Sequence, residues 1–541
     1  VSPAAGPGTT ARPAVPGRFR TRTGPRRPPV TLLLAAAVAL LALLPLAYVL
    51  AAMVDVGWSG VRELVFRPRV GELLWNTGRL VGGTVALCAV LGVGAAWLVE
   101  RAALPGRRVW HVLLVAPLAV PAFVNSYAWI SLLPGLDTYG GALLVVTLSY
   151  FPFVYLPVVA AFRGLDPALE DTARGLGLSG WAVFRRVQLP QLRVALLGGG
   201  LLVALHVLAE FGALQMLRYP TFTTAIYDQY RATFNGPGAT ALAAVLLLLC
   251  LLLLLAELRL RGRRGYARTG SGVARAGRPV RLGAGGAPAL LALAGLVALS
   301  LAVPLGSLAL WMVRGSSTTL DRSALLETTG TTLGLAAVAA AVTTAMALPT
   351  GWLAVRARGR MATLLERSTY LGSSVPAIVI ALALVTVAIE VTPWIYQTVP
   401  VLLAAYAILF LPRAIVPVRA AVEQAPPLYD DVAASLGSSA LDRVRRVTLP
   451  LLAPGLGAGA ALVFLAVVTE LTATLLLAPT GTTTLATAFW SASSALEYGA
   501  AAPYAVVMVL LSAPATVLLS RDARRGLDAV TARRTGRGPL P

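Results

Sequence analysis

The chain contains no lysine: all 45 of its basic residues are arginine, set against 23 acidic residues. That absence excludes a Walker A loop, G-x-x-x-x-G-K-[ST], and any Schiff-base lysine. The chain is therefore not its own P-loop ATPase. Charge as a whole is scarce, at 13% of 541 residues, where a soluble protein carries roughly 25%. So little charge cannot solvate a globular surface of this size. Histidine is confined to His111 and His206, too few and too far apart for a histidine metal site. The two cysteines, Cys88 and Cys250, lie inside apolar runs and read as small hydrophobes rather than as a disulfide.

What fills the chain is apolar sequence, 57% of residues at a mean hydropathy of +0.77. It falls in about a dozen blocks, each near the ~20 residues that cross a hydrocarbon core. Six spans are expected near 30–54, 78–99, 110–133, 141–162, 194–217 and 239–258. Six more follow near 288–313, 331–355, 370–391, 398–419, 454–478 and 500–520. The fold class is all-α and polytopic. The net charge of +22 suits nucleic acid only superficially, because the arginines are spread over the loops between spans. With the N-terminus inside, 37 arginines fall on the cytoplasmic side and 8 outside, as the positive-inside rule requires. Both termini are then cytoplasmic. Trp58, Trp75, Trp129, Trp311 and Trp394 fall near the outer ends of spans and read as lipid-facing anchors.

Three segments stand apart from the spans. Residues 1–29 form a basic, Pro- and Gly-rich arm expected to be disordered, 259–287 a Gly/Arg-rich cytoplasmic linker, and 521–541 a basic tail. Arginine beside anionic membrane lipid explains all three without nucleic acid.

The remaining sequence is duplicated. Trp97-Leu98 and Val120-Pro121-Ala122 recur 255 residues later as Trp352-Leu353 and Val375-Pro376-Ala377. From Pro152 and Pro412 onward the offset is 260, through Gly177/Gly437, Arg185-Arg186/Arg445-Arg446, Leu189-Pro190/Leu449-Pro450 and Glu210/Glu470. Six spans per half make the repeat parallel, with a pseudo-two-fold along the membrane normal and one central path.

The loops after the fourth and tenth spans carry the most information. The first runs Glu170-Asp171-Thr172-Ala173 to Gly177 and on to Val187-Gln188-Leu189-Pro190; the second runs Asp430-Asp431-Val432-Ala433 to Gly437 and on to Val447-Thr448-Leu449-Pro450. Each reads as a short helix, a glycine break, a second short helix and a proline stop. Asp166-Pro167 supplies a cap and a first-turn proline, Gly177 and Gly437 permit φ > 0, and Ser439 with Asp442 makes a capping-box-like start. Pro190 and Pro450 are expected to end the second helix.

These loops resemble the E-A-A, three residues, G, nine residues, [IV]-x-L-P loop of binding-protein-dependent ABC importer permeases of type I. The departures are Asp for Glu at the first position and Thr or Val for Ala at the second. The resemblance implies that residues 166–190 and 426–450 are coupling helices, each seated on one of two cytoplasmic ATPase subunits. It implies an extracytoplasmic binding protein, and ATP and Mg held by the ATPase, with no cofactor in this chain. Halves at 30–258 and 288–520 would be fused permease units in a bacterial inner membrane.

Within that family, Ala209-Glu210-Phe211-Gly212-Ala213, Thr221 to Tyr227, and Glu470 to Leu477 with Pro479, Gly481 and Thr484-Leu485-Ala486-Thr487 resemble ferric-iron permeases. Fused thiamine permeases share the architecture, and sulfate or polyamine permeases share the loop. Glu210 and Glu470 are the candidate path residues. Intramembrane carboxylates face a bundle interior or water, and hard oxygens suit a hard cation. The alternative is that each pairs with an arginine, a tyrosine hydroxyl or backbone amides and fixes a helix bend. Met216 and Met346 read as packing. A major-facilitator-type secondary transporter would also have twelve spans, but has no need of two such loops. A membrane enzyme or flippase would want clustered catalytic groups at an interface, and the sequence offers none.

Overall fold

The computed structural model describes residues 29–261, 280–315, 321–357, 360–373 and 375–514. The basic arm up to residue 28, linker residues 262–279 and everything beyond 514, including the basic tail, lie outside the described residues. Helix is the rule among those described. In hydrocarbon every backbone N–H and C=O must be satisfied within the segment, and runs of Ala, Leu and Val comply by coiling.

The first repeat contains α1 (Pro29–Val65), α2 (Pro68–Arg101), α3 (Arg107–Val115), α4 (Ala122–Leu132), α5 (Tyr139–Tyr150) and α6 (Pro152–Gly164). The loop elements α7 (Pro167–Gly175), α8 (Gly180–Val183) and α9 (Leu189–Gln191) follow, then α10 (Arg193–Ala209), α11 (Gly212–Met216), α12 (Phe222–Arg231) and α13 (Gly236–Arg261). The second repeat has α14 (Gly286–Val297), α15 (Val303–Arg314), α16 (Arg322–Arg356), α17 (Arg360–Ser373), α18 (Ala377–Glu390) and α19 (Val399–Gln424). It continues with α20 (Pro427–Ser435), α21 (Ala440–Arg443), α22 (Leu449–Val468), α23 (Thr472–Leu477), α24 (Leu485–Ser494) and α25 (Tyr498–Pro514).

Seven of these helical runs are long and apolar enough to cross a membrane, and four bent pairs bring the total to eleven. The shorter apolar α25 lies where the twelfth span is expected.

Several spans expected to be straight are broken, and the breaks fall at repeated residues. The expected span 110–133 divides into α3 and α4, bent by 91°, and 370–391 into α17 and α18, bent by 100°. The corner is the recurring Val-Pro-Ala: Pro121 (φ −56°, ψ 144°) and Pro376 (φ −57°, ψ 145°) each stand just before a new helix. Proline has no N–H to donate back, so it suits a helix start and stops the helix before it. The expected spans 194–217 and 454–478 break at Glu210 and Glu470, between α10 and α11 and between α22 and α23.

Close packing also follows the repeat. A Cβ at Gly199 of α10 would lie 2.9 Å from the Phe153 carbonyl oxygen of α6; a Cβ at Gly459 of α22 would lie 3.2 Å from the Ala414 carbonyl oxygen of α19. Small residues let membrane helices approach this closely and gain dispersion contacts where lipid leaves no hydrophobic driving force.

The first helices cross over. In the second repeat's territory α1 packs against α16, α17 and α18, while α15 packs against α4 of the first repeat. The repeats therefore embrace each other. Two of the five expected aromatic anchors are drawn inward. Trp129 is buried, and Trp311 is half-buried with its ring 5.2 Å from that of Tyr498. The α4–α15–α25 seam takes up these rings, whereas Trp58, Trp75 and Trp394 remain exposed.

Candidate coupling loops and translocation path

In the first loop Asp166 caps α7, its Oδ1 accepting from Ala168 N at 3.0 Å. The helix ends where Gly177 takes φ +84°, a conformation that costs an L side chain but not glycine. The Leu178 N–H then donates to the Ala173 carbonyl at 3.1 Å and the Gly177 N–H to that of Arg174 at 2.9 Å. This is a Schellman cap. The second loop repeats it: Gly437 has φ +83°, Ser438 N–H donates to Ala433 at 3.1 Å, and Gly437 N–H to Ala434 at 3.1 Å. Ala173 and Ala433 are thus the carbonyls on which the turns close.

The next helix starts at Ser179 or Ser439. Ser439 Oγ accepts from Asp442 N at 3.1 Å, and its hydroxyl donates to Asp442 Oδ2 at 2.7 Å. The reciprocal bond of a full capping box, to the backbone N–H, is replaced by this side-chain bond.

The prolines do not stop the helix as expected. A five-residue π turn, Phe184–Gln188 in one loop and Val444–Thr448 in the other, precedes each Leu-Pro. The wider turn relieves the clash of a proline ring with the carbonyl four residues back. Leu449 and Pro450 consequently begin α22 without interruption. Leu189 and Pro190 lie in α9, which meets α10 at a 66° bend.

The acidic residues of the two loops differ. Glu170 is buried, with Oε1 3.0 Å from Arg101 Nη2 at the end of α2 and Oε2 3.9 Å from Arg174 Nη2. Asp430 is one methylene shorter and pairs within its own loop, Oδ1 accepting from Arg443 Nε at 3.2 Å. Arg101 and its register partner Arg356 both reach back to α6 or α19, donating to Phe162 O at 3.1 Å and to Val422 O at 3.4 Å. Asp171 and Asp431 point to solvent. Apolar tips stand out beside them: Leu176 and Leu436 occupy equivalent positions and are each 79% exposed, with Trp181 and Leu441 nearby. The linker's far end returns to this face, where Val280 N–H donates to Arg101 O at 2.8 Å.

Deeper in, the broken spans meet. The α4 helix packs on α11, and α18 on α23. A Cβ at Gly212 would lie 2.9 Å from both Phe123 Cβ and Leu471 Cδ2, so the break after Glu210 touches the break after Glu470 across the repeat boundary. Irregular backbone at membrane depth is tolerated where protein buries it or where it lines a cavity. Both carboxylates act as caps. Glu210 accepts from Ala213 N at 2.8 Å and from the Tyr150 hydroxyl. Glu470 accepts from Ala473 N at 2.7 Å, Thr474 N at 3.0 Å and Thr474 Oγ1 at 2.6 Å, while Tyr406 bonds Thr474 at 2.8 Å. Thr223 Oγ1 donates to the Glu210 carbonyl at 2.6 Å, which ties α12 to the break. The α12 and α24 helices open on matching threonine boxes, Thr221/Thr224 and Thr484/Thr487. Among the described residues no group of three or more His, Cys, Asp or Glu could hold a metal ion.

One residue that sequence reading passed over lies here too. Arg413 sits midway along α19, in an otherwise apolar stretch, and a lone charge in a span was the signal that could have found it.

Two repeats, helices broken at equivalent points beside the boundary, and one surface loop per repeat describe a polytopic transport subunit. The family of binding-protein-dependent transport system inner membrane components matches residues 89–264 and 347–525, once in each repeat, and the chain belongs to it. The chain is 38% identical to the Fe(3+)-transport system permease protein FbpB 2 of Haemophilus influenzae over 503 residues, 92% of this chain and 99% of that protein. It is 30% identical over 232 residues to the sulfate transport system permease protein CysT of Escherichia coli K12, covering 39% of this chain and 83% of that protein. A probable molybdenum ABC transporter permease of Haloferax volcanii is 30% identical over 172 residues, 29% of this chain and 64% of that protein. The chain is thus a multi-pass permease subunit of an ABC transporter, a class that works with an ATPase and a binding protein.

Proposed function

We propose that this permease imports ferric iron, with both permease halves (30–258 and 288–520) fused in one chain of a bacterial cell membrane. The similarity that supports iron is the ferric relative, matched over nearly the whole of both chains, where the sulfate relatives match less than half of this one. The arginine-rich face that carries the two loops is cytoplasmic, as are both termini. Each loop, 166–190 and 426–450, seats on one ATPase subunit of a pair. The observation that carries this reading is the duplicated Schellman turn with Leu176 and Leu436 equally exposed at its tip. Two apolar tips in register on one face suit a pair of like grooves.

A binding protein delivers cargo to the opposite face. Closure of the ATPase pair on ATP draws the coupling helices together and reorients the two repeats about the broken helices. ATP and Mg belong to the partner, and this chain supplies path and lever with no cofactor of its own. Glu210 and Glu470 line the path as caps that fix its breaks.

Ferric-iron uptake by iron-starved cells tests the reading, with the gene intact, deleted, or carrying bulky replacements at both Gly177 and Gly437. Uptake is expected to fall in both altered strains while the variant remains in the membrane. Unchanged iron uptake in the deletion strain would move the cargo to another solute, and full transport in the double variant would remove the lever.

A further inference from the structure

Arg413 stands midway along the membrane-spanning run of α19, and its side chain is exposed rather than packed. Its guanidinium carbon lies 5.2 Å from the Phe410 ring centroid. Among the described residues it has no ion pair and no hydrogen bond, unlike its neighbours. Arg419, further along the same helix, holds Glu366 and Glu423, and Arg163 holds Glu100 at 2.6 Å.

The Arg413 charge is felt in the other repeat, at the His206 ring of α10. That ring stacks 4.3 Å from Phe153 and lies 5.5 Å from Tyr150. His206 Nδ1 bonds the Leu202 carbonyl at 2.7 Å, so Nδ1 carries the proton. In the 260-residue register the twin of Arg413 is Phe153, the residue after Pro152 as Arg413 follows Pro412. One side of the path thus presents a ring where the other presents a cation. The two carboxylates at this depth, Glu210 and Glu470, are occupied by their own helix starts and by Tyr150 or Thr474.

An uncompensated guanidinium at membrane depth is costly and marks a pathway. Its planar fork of N–H donors matches a carboxylate or oxyanion in two-pronged fashion. We propose that Arg413 is an anion-recognition group of the translocation path, and that cargo passes it bearing a carboxylate or oxyanion group. Resting on the ferric reading above, this means that iron crosses with an anionic oxygen-donor ligand rather than as the bare trivalent cation, which Arg413 repels.

The test uses the whole transporter, this chain with its ATPase and binding protein, in cells lacking other iron uptake. Doubly labelled ferric citrate and, separately, labelled sulfate are supplied to wild type, Arg413→Gln and Arg413→Lys. Losing a charge-assisted contact should lower uptake by about 10- to 100-fold in Arg413→Gln. Arg413→Lys should keep most of it, and citrate should enter with iron in wild type. Sulfate uptake without iron uptake, with the same dependence on Arg413, would uphold the anion site and defeat the ferric reading. Iron uptake at the wild-type rate in Arg413→Gln would overturn the anion site and leave the ferric reading standing. Equal loss in both variants at normal membrane levels would also overturn it, since position rather than charge would then matter.

Discussion

Replacing Arg101 with methionine removes the cation that holds α7 to the end of α2 and leaves buried Glu170 with only the more distant Arg174, at 3.9 Å. The side chains are 9% and 6% exposed, so solvent screens the pair little. Breaking a buried pair by removing one partner costs about 3–5 kcal/mol. The lower end applies here. Arg101 Nη2 is hydrogen-bonded to Phe162 O, and Glu170 Oε1, at 3.0 Å, has charge beside it but no aligned donor. A loss of about 3 kcal/mol shifts the balance between docked and released α7 by roughly 100-fold. A nine-residue helix does not hold together alone in water, so release exposes its amides. Hydrogen–deuterium exchange should therefore speed up by about 100-fold over residues 169–178, and iron uptake should fall with it. Arg356→Met is the internal control. Arg356 bonds only carbonyls at the end of α19, so exchange in α20 should be unchanged. Wild-type protection of α7 in Arg101→Met, or equal loss in α20 of Arg356→Met, would refute the tether.

Three further outcomes are expected. Gly177→Ala and Gly437→Ala should each cost about 1–2 kcal/mol from the positive φ alone, because nothing lies within 4 Å of the new Cβ; Asn should be tolerated better than Ala at both, as read by uptake per membrane-inserted protein. Glu470→Ala should lower the detergent unfolding midpoint by the equivalent of about 0.5–2 kcal/mol, and Glu470→Gln by less, since its carbonyl still accepts from Ala473 N. Complete loss of uptake in Glu470→Gln at unchanged stability would show the carboxylate to be a cargo ligand instead of a cap. Gly199→Ala should destabilise by about 1–3 kcal/mol and exceed Gly459→Ala, because its Cβ meets backbone at 2.9 Å rather than 3.2 Å; equal thermal midpoints would contradict this ordering.

The sequence disclosed the repeat and the loops because their chemistry is local. A glycine at positive φ, a cap and a Leu-Pro at fixed spacing leave marks within a few residues. The same local reading misjudged Pro190 and Pro450, since a π turn has no sequence signature and lets a proline sit inside a helical run. It also carried straight spans through Val120-Pro121-Ala122 and Val375-Pro376-Ala377, although the proline that breaks each one was visible. Hydropathy sums over a window and cannot register a 91° corner. The exchange of α1 and α15 between repeats is tertiary and has no local mark. Arg413 was hidden differently: an arginine inside a span adds to the positive-inside count like any loop arginine.

Joining both repeats in one chain is what allows their roles to diverge. In a permease assembled from two identical subunits, a residue on the axis side of one must appear on the other. An arginine at the place of Arg413 would then appear twice, and the two like charges would repel each other. Here Phe153 takes the second place and stacks on His206, so the cation appears once. The loops diverge by the same licence. Glu170 reaches Arg101 and pins one lever to α2, while the shorter Asp430 leaves the other held by Arg443 within its own loop. If the loops are the levers proposed above, displacement of the first would load the end of α2 and that of the second would pass through the π turn into α22. The two loops thus differ in the acid itself and in its partner, since Arg443 stands where the first loop has Val183.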